Sequence, residues 1–224
     1  MLIEAGGVQV ELLADRAAWL PRSRSLLVAD LHLGKAQSFR RAGVPVPSGT
    51  TAAMFDRLDR LIERQVPSEV IVLGDLLHGP LAQRGPAIEA LAQWRARHGA
   101  VVVRMVRGNH DASAGDPPLR CGIEVHASPL LREGLAFCHD PDEAAPGFKL
   151  AGHLHPVARL RASIDRARVA CFWLQPCALV LPAFGEFTGG WPVVARDGDQ
   201  VFVIAGDRVL ALPPGVARRG GFRR

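Results

Sequence analysis

Apolar runs that alternate with helical patterns constrain the fold of the first half of this chain more than any other feature. Ser25–Ala29, Glu69–Leu73 and Ala100–Val106 are predicted to be buried strands. Thr50–Gln65 and Pro86–His98 lie between them and have the spacing of amphipathic helices. A β-α-β-α-β order predicts that adjacent strands are parallel, so that their carboxyl ends meet at one edge of a sheet.

The second half has a different pattern, with short strand-like runs separated by proline and glycine and no long helical pattern between them. The predicted strands are Gly122–Val125, Gly134–Cys138, Phe148–Ala151, Val157–Ala162, Arg168–Leu174, Ala178–Leu181, Gln200–Ala205 and Arg208–Leu212. This pattern predicts antiparallel sheet. We expect an α/β (α+β) fold of two packed mixed β-sheets flanked by helices, forming one domain over residues 1–216. Residues 217–224 are expected to be a disordered basic tail, with phosphate contact as the alternative.

Five short motifs that follow predicted strands contain side chains of the types that bind metal ions. They are Asp30–His32, Gly74–His78, Gly108–Asp111, His139 and Gly152–Pro156. Six of the eight histidines lie in these motifs, as does Asn109, the single asparagine of the chain. Ligands of open α/β sheets bind beyond the carboxyl ends of the strands. The motifs therefore predict one binding site that several strands share.

The spacing and the chemistry of these side chains both favour a metal site. Residues i and i+2 of an extended chain point to the same side, so Asp30 and His32 are predicted to reach one centre. His153 and His155 could do the same or could serve two neighbouring centres. A set of nitrogen and oxygen ligands without a thiolate suits Mn²⁺, Fe²⁺ or Zn²⁺ and contains too many histidines for Mg²⁺ or Ca²⁺.

Composition adds little to this prediction. The net charge is +5, which favours an anionic partner, but 25 of the 27 basic residues are arginine, a skew that a GC-rich coding bias also produces. There is no run of 18 apolar residues and no secretory signal, so neither a membrane helix nor export is expected. The four cysteines form no C-x-x-C pair, which favours a reducing, cytoplasmic location.

Taken in order, the five motifs resemble those of the calcineurin-like metallophosphoesterase superfamily over residues 25–156. A narrower resemblance, to the bacterial DNA ligase-associated phosphoesterases called PdeM-type DNA damage response endonucleases, is carried by Ala29–Lys35, Leu73–His78, Gly152–Pro156 and Leu181–Gly190. The resemblance implies a four-layer αββα sandwich. It also implies a site with two divalent cations, for which we expect Mn²⁺, with Zn²⁺ or Fe²⁺ as alternatives.

Carried over residue by residue, the resemblance implies two sets of metal ligands that share one aspartate. The first set is Asp30, His32, Asp75 and His155. The second set is Asp75, Asn109, His139 and His153. A carboxylate has two oxygens and can bridge two ions, so Asp75 suits the shared position. His126 is the alternative to His139.

Two residues after the third strand are candidates for catalysis without binding metal. By resemblance, His110 faces the substrate, where it would protonate the leaving oxygen or hold the phosphate. Asp111 is predicted either to orient His110 or to cap the turn that follows.

Other side chains are weaker candidates for contact with substrate. Contact with phosphate is predicted for His78, Arg107, Lys35 and Arg41. The alternatives are that these side chains form hydrogen bonds near the site or are simply solvated. Phe184 and Phe187 could stack on a base or close the edge of a core, whereas Trp191 is expected to pack in a core or against a helix.

Three functions remain open at this point. The first is a metal-dependent DNA phosphodiesterase or endonuclease in DNA repair, acting on DNA that is expected to be single-stranded. By resemblance, a DNA ligase and a helicase would be its functional partners, and a homodimer is possible. The second is a phosphoesterase acting on nucleotides or nucleotide-sugar diphosphates, and the third is a scaffold without catalytic activity. Because every expected ligand type is present, the first two are favoured over the third.

Overall fold

In the computed structural model, which describes residues 1–161 and 166–215, the chain forms two mixed β-sheets packed face to face. The first sheet consists, in spatial as in chain order, of β1 (Leu2–Ala5), β2 (Val8–Leu13), β3 (Ala17–Leu20), β4 (Ser25–Ala29), β5 (Glu69–Leu73), β6 (Val102–Val106) and β7 (Ile123–His126). The helices are α1 (Lys35–Arg41), α2 (Thr50–Gln65), α3 (Pro86–Arg97) and α4 (Asn109–Ala114), with short 3₁₀ turns at Pro80–Gln83 and Leu119–Cys121.

The second sheet is built from the remaining strands. They are β8 (Leu130–Arg132), β9 (Leu135–Phe137), β10 (Phe148–Ala151), β11 (Pro156–Arg161), β12 (Arg166–Gln175), β13 (Ala178–Val180), β14 (Trp191–Pro192), β15 (Gln200–Ala205) and β16 (Arg208–Ala211). The spatial order is β14-β11-β12-β13-β10-β9-β8, and β15 pairs with both β12 and β16. The predicted basic tail at 217–224 lies outside the described residues.

The β-α-β-α-β prediction for the first half is confirmed. Strands β4, β5, β6 and β7 are parallel, with Ala29 opposite Leu73 and Leu73 opposite Val106. Helix α2 has the predicted bounds, whereas α3 ends at Arg97 and β6 begins only at Val102. The antiparallel strands β1–β3 were not predicted, because their apolar runs are short and carry no motif.

The antiparallel sheet predicted for the second half is present, but several parallel pairings were not predicted. Strand β7 joins the first sheet, parallel to β6. Strands β9, β10 and β13 are parallel to one another at the centre of the second sheet. A parallel pair needs a crossover, and the crossover from β9 to β10 is irregular chain without a helix. The usual sequence signal of a parallel pair is therefore absent here.

The core follows the two-residue period of the central strands. On β4, Leu26 and Val28 pack against helices α2 and α3, whereas Leu27 and Ala29 face the second sheet. Strand β5 divides in the same way, with Val70 and Val72 on the helical side. Burial on both faces explains why these strands are continuously apolar.

The fold class is confirmed, with an unequal distribution of helices over the two sheets. The described helices all precede β7 in the chain, and none contributes to the clusters of buried residues on the second sheet. The outer face of the second sheet is covered instead by a small apolar cluster that includes Val193, which follows β14. No described helix is both long and apolar enough to cross a bilayer.

A buried carboxylate connects the two sheets at the end opposite the metal-binding motifs. Glu69, the first residue of β5, accepts hydrogen bonds from Ser25 at 2.6 Å and from Arg132 of β8 at 2.8 and 2.9 Å, and it pairs with Arg104. Burial raises the pKa of Glu69, but the hydrogen bonds from Arg132 and Ser25 outweigh burial and hold it below the ordinary value.

We expect Glu69→Gln to destabilise the protein by about 2–4 kcal/mol at neutral pH, because it leaves two partly buried arginines without their anion. Because the folded-state pKa is lowered, ionised Glu69 stabilises the fold above the unfolded-state pKa. That contribution disappears as the pH falls through the folded-state pKa. Urea unfolding at neutral pH and at about pH 3.5 should therefore show a difference that shrinks in acid. Glu4→Gln, at an exposed position on β1, is the control. An equal loss at both pH values would contradict this account.

Candidate metal centre

The predicted motifs meet where the carboxyl ends of parallel strands from both sheets converge. Asp30 directly follows β4, Asp75 follows β5 after one glycine, and Asn109 opens α4 beyond β6. From the second sheet, His139 follows β9 and His153 follows β10. The five motifs are therefore close together in space although they span more than half of the chain.

The backbone that carries these side chains is left-handed at five positions. The φ angles are 55° at Asp30, 48° at His32, 50° at Asp75, 69° at His153 and 46° at His155. Left-handed backbone is unfavourable for residues with a Cβ atom and persists only where surrounding structure enforces it. The expectation of extended backbone at these pairs is therefore wrong, although Asp30 and His32 do reach one centre.

Hydrogen bonds between the loops after β4 and β5 enforce this conformation. The N–H groups of Asp30, His32 and Leu33 donate to the carbonyl oxygens of Gly74, Asp75 and Leu76 at 3.2, 2.8 and 2.8 Å, and His78 N–H donates back to Leu33 at 3.0 Å. Leucines between the ligands are buried among the helices and anchor the loops: Leu31, Leu33, Leu76 and Leu77.

One group of ligand atoms gathers around His139. Its Nε2 atom lies 2.9 Å from Asn109 Oδ1, 3.0 Å from His153 Nδ1 and 3.5 Å from Asp75 Oδ2. These are the four side chains that the resemblance implies for one ion. His126, the alternative to His139, lies at the end of β7 with its Nε2 atom 3.9 Å from Glu124.

The second group gathers around His155. Its Nε2 atom lies 3.3 Å from His32 Nε2 and 3.5 Å from Asp30 Oδ1. His32 Nε2 in turn lies 3.7 Å from Asp75 Oδ2. His153 and His155 therefore belong to two different groups, which was one of the two alternatives open from the sequence.

Asp75 connects the two groups through a single oxygen. Its Oδ2 atom lies within 3.7 Å of His32 Nε2 and 3.5 Å of His139 Nε2, while Oδ1 accepts a hydrogen bond from the His110 N–H at 2.9 Å. The carboxylate is 2% exposed. This is the position that a bridging ligand requires.

Backbone carbonyls orient the histidine rings of both groups. His139 Nδ1 lies 3.2 Å from Leu73 O, and His155 Nδ1 lies 2.9 Å from Thr188 O. Donation from Nδ1–H leaves the lone pair on Nε2, the atom that faces the other ligands. Close approach of His139 requires Gly74, whose φ is +74° and at which a Cβ atom would lie 2.1 Å from the His139 ring.

The side chains fit a pair of divalent cations. Asp30 Oδ1 is buried and has no hydrogen-bond partner among the described residues, although histidine nitrogens lie around it. Burial and the charge of Lys35 lower the pKa of His32 to about 2, so its ring is neutral at physiological pH, as a ligand must be. Burial alone would lower the pKa of His155, but the hydrogen bond and the charge of Asp30 have a larger effect, so the pKa of His155 is raised above its ordinary value. A cation would compensate the negative charge of the buried Asp30 carboxylate.

His110 is oriented by His78 and not by Asp111. Its Nδ1 atom lies 3.1 Å from the carbonyl oxygen of His78, and the two rings stack with centroids 5.0 Å apart. Asp111 is buried and accepts hydrogen bonds from the N–H groups of Gly108 and Leu77, each at 2.9 Å. The capping alternative for Asp111 is therefore supported, and Asp111 also ties the third motif to the second.

The predicted phosphate contacts occupy different environments. Lys35 begins α1 and is half-buried; burial lowers its pKa, and the charges of Asp75 and Asp30 oppose this. Burial, Lys35 and His110 lower the pKa of His78 to about 4, so His78 is neutral at physiological pH. Arg107 is instead paired with Asp116, at 2.7 and 2.6 Å, and Arg41 is exposed in the last turn of α1.

Residues 184–190, which we call the clamp segment, contain the two phenylalanines considered for base stacking, but their backbone contacts with the ligand groups were not predicted from the sequence. Phe184 N–H donates to Ala29 O at 2.8 Å and Gly185 N–H donates to Asp30 O at 3.1 Å, beside the Thr188 contact with His155. The run of glycines in this segment was the available signal. The expectation that Trp191 packs in a core or against a helix is wrong, because the residue is 68% exposed.

Comparison with known proteins finds a family and two solved structures to which this chain is similar. The sequence profile of the family described as calcineurin-like phosphoesterase matches residues 23–212. The crystal structure of the nuclease MPE from Pseudomonas putida is 40% identical, with a TM-score of 0.84, and the match covers 95% of this chain and 99% of that chain. Yfce, a phosphoesterase from E. coli, is 16% identical with a TM-score of 0.41, over 82% of this chain and 88% of that chain.

The search of curated proteins finds no match. The family match covers most of the chain, and the ligand groups that the family's chemistry needs are assembled at one edge of the two sheets. The chain therefore belongs to the calcineurin-like phosphoesterase family and is a metal-dependent phosphoester hydrolase.

Proposed function

We propose that this chain is a DNA endonuclease that hydrolyses phosphodiester bonds with two divalent cations, for which Mn²⁺ is the expected metal. The observation that carries the proposal is the position of Asp75 Oδ2 between His32 and His139, which joins two ligand groups into one centre. The likeness to the Pseudomonas putida nuclease over nearly its whole length supports DNA as the substrate.

The two ligand groups would each hold one ion. A pair of divalent cations supplies an acidified water as nucleophile and neutralises charge that develops on the phosphoryl oxygens. Asn109 contributes a neutral amide oxygen, so the centre keeps a net positive charge that favours a phosphodiester. Asp30 and Asp75 orient backbone groups as well, because each accepts a hydrogen bond from an N–H group of another motif.

His110 is the residue that moves a proton. Its Nδ1–H donates to the His78 carbonyl, so a second proton, carried on Nε2 in the imidazolium form, is the one that His110 would give to the leaving oxygen. Its ring centroid lies 4.9 Å from that of His32, beside the ligands. The N–H group of His110 also donates to Asp75, which fixes the distance between the proton donor and the shared ligand.

The exposure of the centre supports a large substrate. Asn109 is exposed, and His110, His153 and His155 are partly exposed, so one side of the centre opens to solvent. A polymer can reach an open site of this kind, and Lys35 at its edge offers a cation to a phosphate.

The test is cleavage of circular single-stranded DNA by the Mn²⁺-loaded protein, with bis-p-nitrophenyl phosphate in parallel. We expect both to be hydrolysed, and neither by Asp75→Asn. Circular DNA has no ends, so its cleavage requires an endonuclease. Turnover of the small diester with intact DNA would contradict the proposal and would favour a phosphoesterase acting on nucleotides or nucleotide-sugar diphosphates.

The wider proposal is a role in DNA repair in the cytoplasm, alongside a DNA ligase and a helicase. Its support is the motif resemblance, together with four free cysteines, which suit a reducing compartment. Co-purification of the chain with a ligase and a helicase from the same cells tests the partnership. Sedimentation velocity tests whether the protein forms a homodimer.

A further inference from the structure

The clamp segment holds one aromatic side chain in solvent beside the metal centre. The segment is attached to both ligand groups, through Gly185 to the backbone of Asp30 and through Thr188 to the ring of His155. Phe187 lies between these two attachments and is 41% exposed. Its place relative to the ligands is therefore determined by the same hydrogen bonds that orient them.

The backbone at Phe187 is strained. Its φ angle is 59°, in the left-handed region that bulky residues avoid. Phe184, by contrast, is fully buried, with the Arg57 guanidinium 4.3 Å from its ring centroid, so the two phenylalanines have different roles. Strained residues of this kind concentrate at binding and catalytic sites. Backbone preference therefore does not account for a phenylalanine at position 187.

Phe187 forms one wall of a small hollow next to the ligands. The other walls include His32, Lys35, Thr51, Met54 and Glu186. The hollow measures about 20 Å³, which is too small to enclose a nucleobase. A base can therefore contact this site only by lying across its mouth, against the face of an aromatic ring.

The charges around the hollow suit a nucleic acid strand. Lys35 supplies a cation at the start of α1. The carboxylate of Glu186 lies 3.1 Å from Arg57 and 3.7 Å from Arg16, so its charge is compensated. An aromatic face beside a cation is the combination that binds unpaired nucleotides.

We propose that Phe187 stacks on an unpaired base of the nucleotide next to the scissile phosphate, while Lys35 contacts the backbone phosphate beside it. This subsite rests on the proposed DNA endonuclease function. Stacking recognises the face of any base, so the subsite selects for an unpaired base and not for its identity.

The test compares Phe187→Gly and Phe187→Trp with the wild-type protein, each loaded with Mn²⁺. The substrates are a single-stranded oligonucleotide and the same strand with abasic residues throughout the cleaved region. We expect Phe187→Gly to lower kcat/KM on the base-containing strand by about 5- to 150-fold, through a higher KM. On the abasic strand, wild type and Phe187→Gly should be equally slow, and Phe187→Trp should match wild type on both.

Measurements of melting temperature and of oligonucleotide affinity distinguish base stacking by Phe187 from a purely structural role of its ring. Because glycine relieves the left-handed strain, Phe187→Gly should melt at or above the wild-type temperature while its affinity for a cleavage-resistant phosphorothioate oligonucleotide falls. Leu119→Ala, at a 99% exposed leucine outside the site, is the control and should change neither quantity.

Two results would overturn the stacking site. One is a Phe187→Gly variant that cleaves the base-containing strand as wild type does. The other is an equal loss on the two strands, since a base-stacking role predicts a loss on one alone. Failure of wild-type protein to cut any DNA while it still hydrolyses bis-p-nitrophenyl phosphate is a separate outcome. It would refute the proposed function, and the subsite with it.

Discussion

Asp75→Asn is expected to abolish turnover and to remove both metal ions together. Because Asp75 Oδ2 lies between His32 and His139 while Oδ1 accepts the His110 N–H, an asparagine has no satisfactory orientation. If the asparagine turns its side-chain oxygen toward the His110 N–H, its amide NH2 group faces both ion positions and cannot bind a cation. With the amide reversed, two donors face each other at His110. We expect at least about a 10³-fold loss of kcat, since several kcal/mol of charge stabilisation is lost.

Metal content measured by mass spectrometry on the dialysed protein, together with turnover of bis-p-nitrophenyl phosphate, checks this expectation. The wild-type protein should retain two Mn²⁺ ions per chain and Asp75→Asn close to none, with an unchanged far-ultraviolet circular dichroism spectrum. Asp15→Asn is the control, because Asp15 pairs with Arg64 at the surface and should keep both ions and full turnover. Retention of one tightly bound ion in Asp75→Asn would show that this carboxylate serves only one ligand group.

His110→Ala is expected to keep both ions and to lower kcat by about 10²–10⁴-fold, the usual contribution of a general acid. The ions should remain because the contact with Asp75 comes from the backbone N–H of His110, which alanine preserves. The loss should be larger for DNA than for bis-p-nitrophenyl phosphate. A DNA alkoxide needs a proton to leave, whereas p-nitrophenolate is a stable anion.

Parallel measurement of kcat on an oligonucleotide and on the small diester, with metal analysis of the same preparations, separates the possible roles of His110. Equal losses on the two substrates would indicate that His110 holds the phosphate and transfers no proton. Loss of the ions from His110→Ala would instead make His110 a ligand, in agreement with its closeness to His32 and His78. Either result would refute the assignment of His110 as the proton donor.

Most of the ligand set was predictable from the sequence because local features carried it. Apolar runs that end at Asp30 and Asp75 indicate buried parallel strands, and the carboxyl ends of such strands share an edge. Histidine and asparagine at these ends have the chemistry of a metal site before any contact is known. His139, a lone histidine without a motif around it, lies with its Nε2 atom 2.9 Å from Asn109 Oδ1, among the other predicted ligands.

The sequence analysis did not predict which partners several side chains near the site take in the folded protein. The hydrogen bond from the Leu77 N–H to Asp111, the pairing of Arg107 with Asp116 and the exposure of Trp191 have no signature in a short window of sequence. The parallel order of β9 and β10 is of the same kind, since no helix lies between them.

The sequence by itself determined which side chains would meet and which chemistry they would support, because strand ends and residue types are local properties. Only the tertiary structure decided the distances at which these side chains surround Asp75, and that His78 orients His110. It alone placed Phe187 in a strained, exposed position beside the ligands. The physical reason is that such arrangements depend on left-handed loop backbone and on hydrogen bonds between distant segments, and packing of the whole fold is what enforces both.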